Sequence, residues 1–328
     1  MTPPSRRPLA APAPAPGRRS ALHLPRGRDA RAAHLALRLF ALGCASFGVV
    51  VATYVLSAHT ARGQRVENAV FGARRNQLRG GTTSATELLA TVSVWSLVAA
   101  IAAVMAVALA RGRPRLALGA GAVIAVSILT TEVLKKIVLP RPRLDPDAPA
   151  WLLGNVFPSG HTTIAAATAV AFVLVVPHRW RGPAALVGGF YAAALGAATL
   201  EAGWHRTSDA VGAVFLVLGM ALCACGTLVW WRGTGDPPAD RVSPWVYLPL
   251  AVVAAAGGIL DLVGLPRTLK AIDAGPLTDA GVEEAYAVSL GLVALSVAVA
   301  MGVLLVALRD VSLDSPPRAS DDKAGGAR

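Results

Sequence analysis

Eight apolar runs recur between residues 39 and 308, at about 39–58, 88–110, 116–134, 160–177, 183–200, 209–231, 244–264 and 285–308. A helix needs roughly 20 apolar residues to cross a bilayer core. The second and eighth runs reach that length with no charged residue, and the sixth carries only Asp209, at its first position. The fourth and fifth are shorter and rich in Ala and Gly, the composition of helices that approach each other closely inside a bundle. Backbone in lipid must satisfy its own hydrogen bonds, so runs of this kind fold as helices. The expected fold is an all-α, polytopic transmembrane helix bundle. It has a six-helix core over 33–231, an appended helix pair over 232–310, a disordered basic tail at 1–32 and a second disordered tail at 311–328.

Composition agrees with this reading. The chain is 54% hydrophobic and 15% charged, against about 25% charged in soluble domains. That excludes an ordinary soluble domain, a disordered chain and a disulfide scaffold. Cys44, Cys223 and Cys225 all fall inside apolar runs and read as small buried hydrophobes. The net charge of +12 is divided among segments on both sides of the membrane, so no single nucleic-acid patch forms. With the N-terminus inside, cytoplasmic segments hold 18 Lys and Arg and outer segments hold 12, which favours both termini in the cytoplasm. Arg38 falls near the inner end of the first run, where its head group is expected to snorkel to the interface. Bound partners are then membrane lipids, with no nucleic acid, and a homo-oligomer is compatible with the sequence.

Three motifs gather titratable groups at span ends on one face. Pro158-Ser159-Gly160-His161 opens the fourth run. Ser159 stands where an N-cap stands, so the first amides of the helix and its dipole form an anion site, with His161 in the first turn. His205 and Asp209, four apart, share a helix face, and the carboxylate fixes the imidazole's tautomer and leaves its other nitrogen to act as a nucleophile or base. Lys136 and Arg143 flank a proline-stiffened loop and offer a point charge and a planar fork to phosphate oxygens. Glu132 is four residues before Lys136 and is expected to pair with it. Together these are the parts of covalent phosphoryl transfer through histidine. No metal set and no cofactor motif accompanies them.

On these residues the chain resembles the type 2 phosphatidic acid phosphatase superfamily, the lipid phosphate phosphatases. That signature runs Lys, six residues, ArgPro; then ProSerGlyHis; then SerArg, five residues, HisxxxAsp. The first part matches at Lys136 and Arg143, with Leu144 in place of Pro; the second matches in full; the third matches at His205 and Asp209. The resemblance implies that His205 is the nucleophile, Asp209 its orienter and His161 the general acid. It also implies that Lys136, Arg143, Ser159 and Gly160 hold the phosphate. Bacterial members act on lipid phosphates and pyrophosphates, polyprenyl carriers among them, from the extracytoplasmic side of the inner membrane. The SerArg pair falls at Ala198 and Thr199, so one phosphate-binding arginine is absent. Arg206 or Arg141 is the candidate replacement. The alternative function is a lipid-phosphate binding or transport protein without turnover. Trp151, Leu152 and Leu153 are expected to dip into the interface beside the site. Asp261, near the outer end of the seventh run, is expected to be interfacial, and the outer segment 265–284 has no assigned role.

Overall fold

The computed structural model describes residues 27–78, 83–146, 148, 154–234 and 242–313. Within these residues there are ten α-helices and no strands. They are α1 (Gly27–Ala58), α2 (Ala61–Leu78), α3 (Thr83–Ala90), α4 (Val94–Ala110), α5 (Pro114–Val133), α6 (Gly160–Val175), α7 (Arg181–Glu201), α8 (Thr207–Arg232), α9 (Tyr247–Ala274) and α10 (Asp279–Leu308). A π turn, Leu134–Val138, extends α5. Six helices are long and apolar enough to cross a membrane, so the protein is a multi-pass membrane protein.

The eight expected runs correspond to α1, α4, α5, α6, α7, α8, α9 and α10, with two corrections. The second run is broken: α3 and α4 meet at a 60° bend. The cause is local. Ser93 Oγ accepts from Ser96 N (3.1 Å), and Ser93 N donates to Ser96 Oγ (2.8 Å), a reciprocal cap that stops one helix and starts the next. The fourth run, α6, is a 16-residue apolar helix, shorter than a full span. A third feature lies in 59–85, the segment between the first two runs, which has no apolar run of its own. Most of it is α2, a polar helix without a spanning character.

Helix α8 is the centre of the bundle, packed on α1, α5, α6 and α10. Small residues let the backbones approach. At Gly188 a Cβ would stand 2.7 Å from Ala169 Cβ, and at Gly257 it would stand 2.7 Å from Gly291 O. Asp261 is buried at this second contact, between α9 and α10. Cys44 faces outward on α1, which corrects its assignment as buried; Cys225 is buried and Cys223 partly so.

At the C-terminal end of α10, basic residues cap the chain's carbonyls. Arg38 Nη2 donates to Ala307 O (2.6 Å), and Arg181, almost fully buried, donates to Leu308 O (3.3 Å) and Val311 O (3.5 Å). Arg38 thus closes the end of α10 rather than snorkelling freely. Residues 27–32, placed by the sequence in the N-terminal tail, form the first turns of α1, and Arg31 bonds Asp310 O (3.3 Å). A helix begun outside the bilayer needs no apolar residues, so hydropathy places its start too late. Residues 1–26 and 314–328, and Trp151, Leu152 and Leu153, lie outside the described residues.

Candidate active site

The two histidine motifs are joined by one backbone bond. Ser159 N donates to Asp209 O (2.9 Å), which ties the turn before α6 to the first turn of α8. Ser159 is fully buried and caps α6: its Oγ accepts from Thr162 N (3.4 Å) and from Thr162 Oγ1 (3.0 Å). Thr163 Oγ1 lies 2.9 Å from Thr131 Oγ1, so the start of α6 is also keyed to α5.

Asp209 is fully buried, and its Oδ2 lies 3.3 Å from His205 Nδ1 and accepts from Arg206 N at 2.8 Å. Nδ1 is therefore committed to the carboxylate, and Nε2 is the nitrogen left for chemistry. The His205 backbone is fixed from behind: Thr199 O accepts from Trp204 N (3.0 Å) and His205 N (3.2 Å). The Thr199 side chain is buried and bonds back to Gly196 O (2.7 Å), so position 199 supplies a carbonyl brace and no cation. His161 stands in the first turn of α6 with its ring 5.4 Å from that of Trp204.

The cations are arranged differently from the motif reading. Lys136 has a side chain 70% exposed and pairs with Glu132 Oε2 (2.8 Å), the expected i, i+4 contact. Arg143 is exposed and donates to Pro146 O (3.1 Å). The two residues beside them turn inward instead. Lys135, with its side chain 18% exposed, pairs with Glu132 Oε1 (3.2 Å), and its Nζ lies 3.5 Å from the point where a Cβ on Gly160 would stand. Arg141 lies partly buried, 3.5 Å from Asn68 Oδ1, and burial together with the charge of Arg206 lowers its pKa. The π turn explains the exchange. Its wider helical step shifts which of two consecutive lysines faces the bundle, and such turns recur at functional sites.

The loop that carries Arg141 has two prolines and few donors, so its carbonyls depend on side chains. Tyr54 Oη donates to Pro140 O; Asn155 Nδ2 donates to Leu139 O (2.6 Å) and Lys135 O (3.1 Å); Gln64 Nε2 donates to Pro142 O (2.6 Å). Gln64 Oε1 also accepts from Leu144 N (3.2 Å). Gln64, Glu67, Asn68, Phe71 and Arg74 repeat at helical spacing along one side of α2. Sequence reasoning missed this face. Its signal was polar rather than apolar periodicity inside a segment too hydrophilic to span. Glu67 accepts from Ser208 Oγ (2.7 Å), and burial and the nearby Asp209 raise its pKa, against the pull of that bond and of Arg206 and Arg141.

Beyond α2, helix α10 of the appended pair completes one wall. A cavity of about 40 Å³ beside His205 is lined by Glu67, Phe71 and Arg74 of α2, Arg206, and Tyr286 and Ser289 of α10. Arg74 bridges Glu201 and Glu283, both at 2.8 Å, and lies 4.0 Å from the Tyr286 ring centroid. Arg62 pairs with Asp273 (3.1 Å). Among the described residues, no group of three His, Cys, Asp or Glu stands close enough to hold a metal ion.

Helices α5 to α8 thus bring a capped ProSerGlyHis turn, an Asp-bound histidine and two inward cations to one end of the bundle. Residues 116–234 match the family model of the PAP2 superfamily. This segment of the chain is similar to that superfamily. The match begins at the start of α5 and ends just after α8, so it contains all three motifs. α1 to α4 and the pair α9–α10 lie outside it. No curated protein and no solved structure matches the chain. The match to the PAP2 superfamily supports a phosphatase-type activity on lipid phosphates.

Proposed function

We propose that the protein hydrolyses a lipid phosphate or pyrophosphate through a phosphohistidine on His205, without a metal ion, at the extracytoplasmic face of the cell membrane. A polyprenyl pyrophosphate is the favoured substrate and a phosphatidate the next. The observation that carries this reading is the placement of Lys135. The first turn of a helix attracts anions, and Glu132 Oε1, which pairs with Lys135, lies 3.7 Å from the same Gly160 Cβ point, so an incoming phosphate would compete with this carboxylate for the lysine. Here the Lys135 ammonium stands over the first turn of α6, which Ser159 caps and Asp209 anchors. A phosphoryl group at that point meets the free amides of the turn, Lys135 and the imidazole of His205.

The steps follow from the positions. His205 Nε2 attacks phosphorus while Asp209 holds the imidazolium that forms. His161 gives a proton to the departing lipid oxygen, and the site's cations and amides stabilise the equatorial oxygens. Water then attacks the phosphohistidine, its proton passes to His161, and inorganic phosphate leaves. The acyl or prenyl chain stays in the bilayer, so only the head group has to reach the turn.

The test is phosphate release by the purified full-length protein in detergent. A polyprenyl pyrophosphate and a phosphatidate are supplied in parallel with EDTA present, and His205→Ala is the control. The expected result is release in EDTA that depends on His205. Lipid-phosphate binding with no release above the control would favour the binding-protein reading that Thr199 keeps open.

A further inference from the structure

The family signature leaves one cation unaccounted for, since position 199 is a buried threonine bonded to its own helix. Two guanidinium groups meet nearby. Arg206 Nη2 donates to Asn68 Oδ1 (3.1 Å), and Arg141 Nη2 lies 3.5 Å from the same oxygen. Asn68 is buried, and its Nδ2 donates to Asp145 Oδ2 (2.9 Å). That bond decides the amide's orientation. The reverse orientation would turn its NH₂ toward two guanidiniums and its oxygen toward a carboxylate. Arg206 is 3% exposed, directly follows the nucleophile and lies 5.0 Å from the Phe71 ring centroid.

Resting on the phosphatase reading above, we propose that Asn68 is a positioning residue. It draws Arg141 and Arg206 into a two-arginine cradle for the phosphoryl oxygens, in place of an arginine at 199. Like charges this close repel, and a neutral acceptor shared between them holds both without neutralising either. Glu67 and Asp209 supply part of the balancing charge, and the incoming phosphate supplies the rest. Gln64, one turn earlier on α2, clamps the backbone on either side of Arg143 and so fixes the loop from which Arg141 projects. α2 is itself tied to the appended pair by Arg62–Asp273 and Arg74–Glu283. Helices α9 and α10 therefore serve the site indirectly, by holding the helix that carries Asn68.

The experiment uses the full-length protein and two readouts: kcat and KM for release from a short-chain phosphatidate, and binding of orthovanadate, which needs no turnover. Asn68→Leu keeps the side chain's size and removes the shared acceptor. The expected result is a loss of about 10- to 100-fold in both kcat and vanadate affinity, with KM changed little. The triple variant Asn68→Leu/Arg141→Gln/Arg206→Gln should be no worse than Arg141→Gln/Arg206→Gln, because Asn68 acts through the two arginines. Unchanged kcat and vanadate binding in Asn68→Leu would overturn the proposal, as would a triple variant clearly worse than Arg141→Gln/Arg206→Gln. If Asn68→Leu does not fold, Arg141→Gln and Arg206→Gln carry the test in the native α2. Each must weaken vanadate binding by a similar factor, and a loss confined to one of them refutes the cradle. A wild type that releases no phosphate, yet loses vanadate binding on Asn68→Leu, would sink the phosphatase reading and leave the cradle standing.

Discussion

Alanine at position 205 lowers phosphate release by about 10³-fold or more, because it removes the atom that receives the phosphoryl group and not merely a contact to it. Asn at position 209 produces a smaller but still large loss. The His205 ring is then no longer held by a charged acceptor, and Asp209 is the one acceptor bonded to both His205 Nδ1 and the Arg206 amide. Alanine at 205 leaves the helix start intact, since the Ser159–Asp209 bond and the Thr199 brace are made by backbone atoms. The variant should therefore elute and unfold as the wild type does, and vanadate should still bind. Steady-state release measured beside thermal unfolding checks both halves. A folded His205→Ala protein with near-normal release would exclude this histidine as nucleophile.

Lys135→Ala should cost about 100-fold in kcat, while Lys136→Ala should stay within a few-fold of the wild type. The contrast rests on placement. Lys135 stands over the first turn of α6, and a charged donor aimed at a developing oxyanion is worth about 10²–10³ in rate. Lys136 is held at the surface by Glu132, and exposed pairs contribute about 0–1 kcal/mol. The lysine-to-arginine spacing of the family signature favours the opposite order, with Lys136 dominant. Parallel kinetics of the two alanine variants decide between them. A large loss at Lys136 with little at Lys135 would return the site to the register of the signature.

Much of this was legible in the chain. The apolar runs gave the spanning helices because lipid permits little else, and ProSerGlyHis gave a capped helix start because each of its residues has a local reason to be there. His205 and Asp209 were visible as a pair because four residues on a helix make one face. What stayed hidden depended on departures from regular helix geometry or on distant partners. A π turn rotates Lys135 inward past Lys136, and no spacing rule for an α-helix anticipates that. Two serines three positions apart, which cap each other, split the second run, although its hydropathy is continuous. α2 was invisible to a search for apolar periodicity, since its ordered face is Gln64, Glu67, Asn68 and Arg74. The long-range partners of those side chains lie 73 to 209 residues further along the chain. The role of the segment 265–284 emerged for the same reason: Asp273 and Glu283 find Arg62 and Arg74 only in the folded bundle.

The covalent intermediate is the centre of the proposed chemistry, and rapid acid-free quenching with ³²P-labelled phosphatidate addresses it directly. A route through His205 predicts label on the protein that is stable in alkali and lost in acid, the behaviour of a phosphoramidate. The label should map to the peptide containing His205 and be absent from His205→Ala. Turnover with no labelled protein at any time point, or label on a different residue, would contradict it.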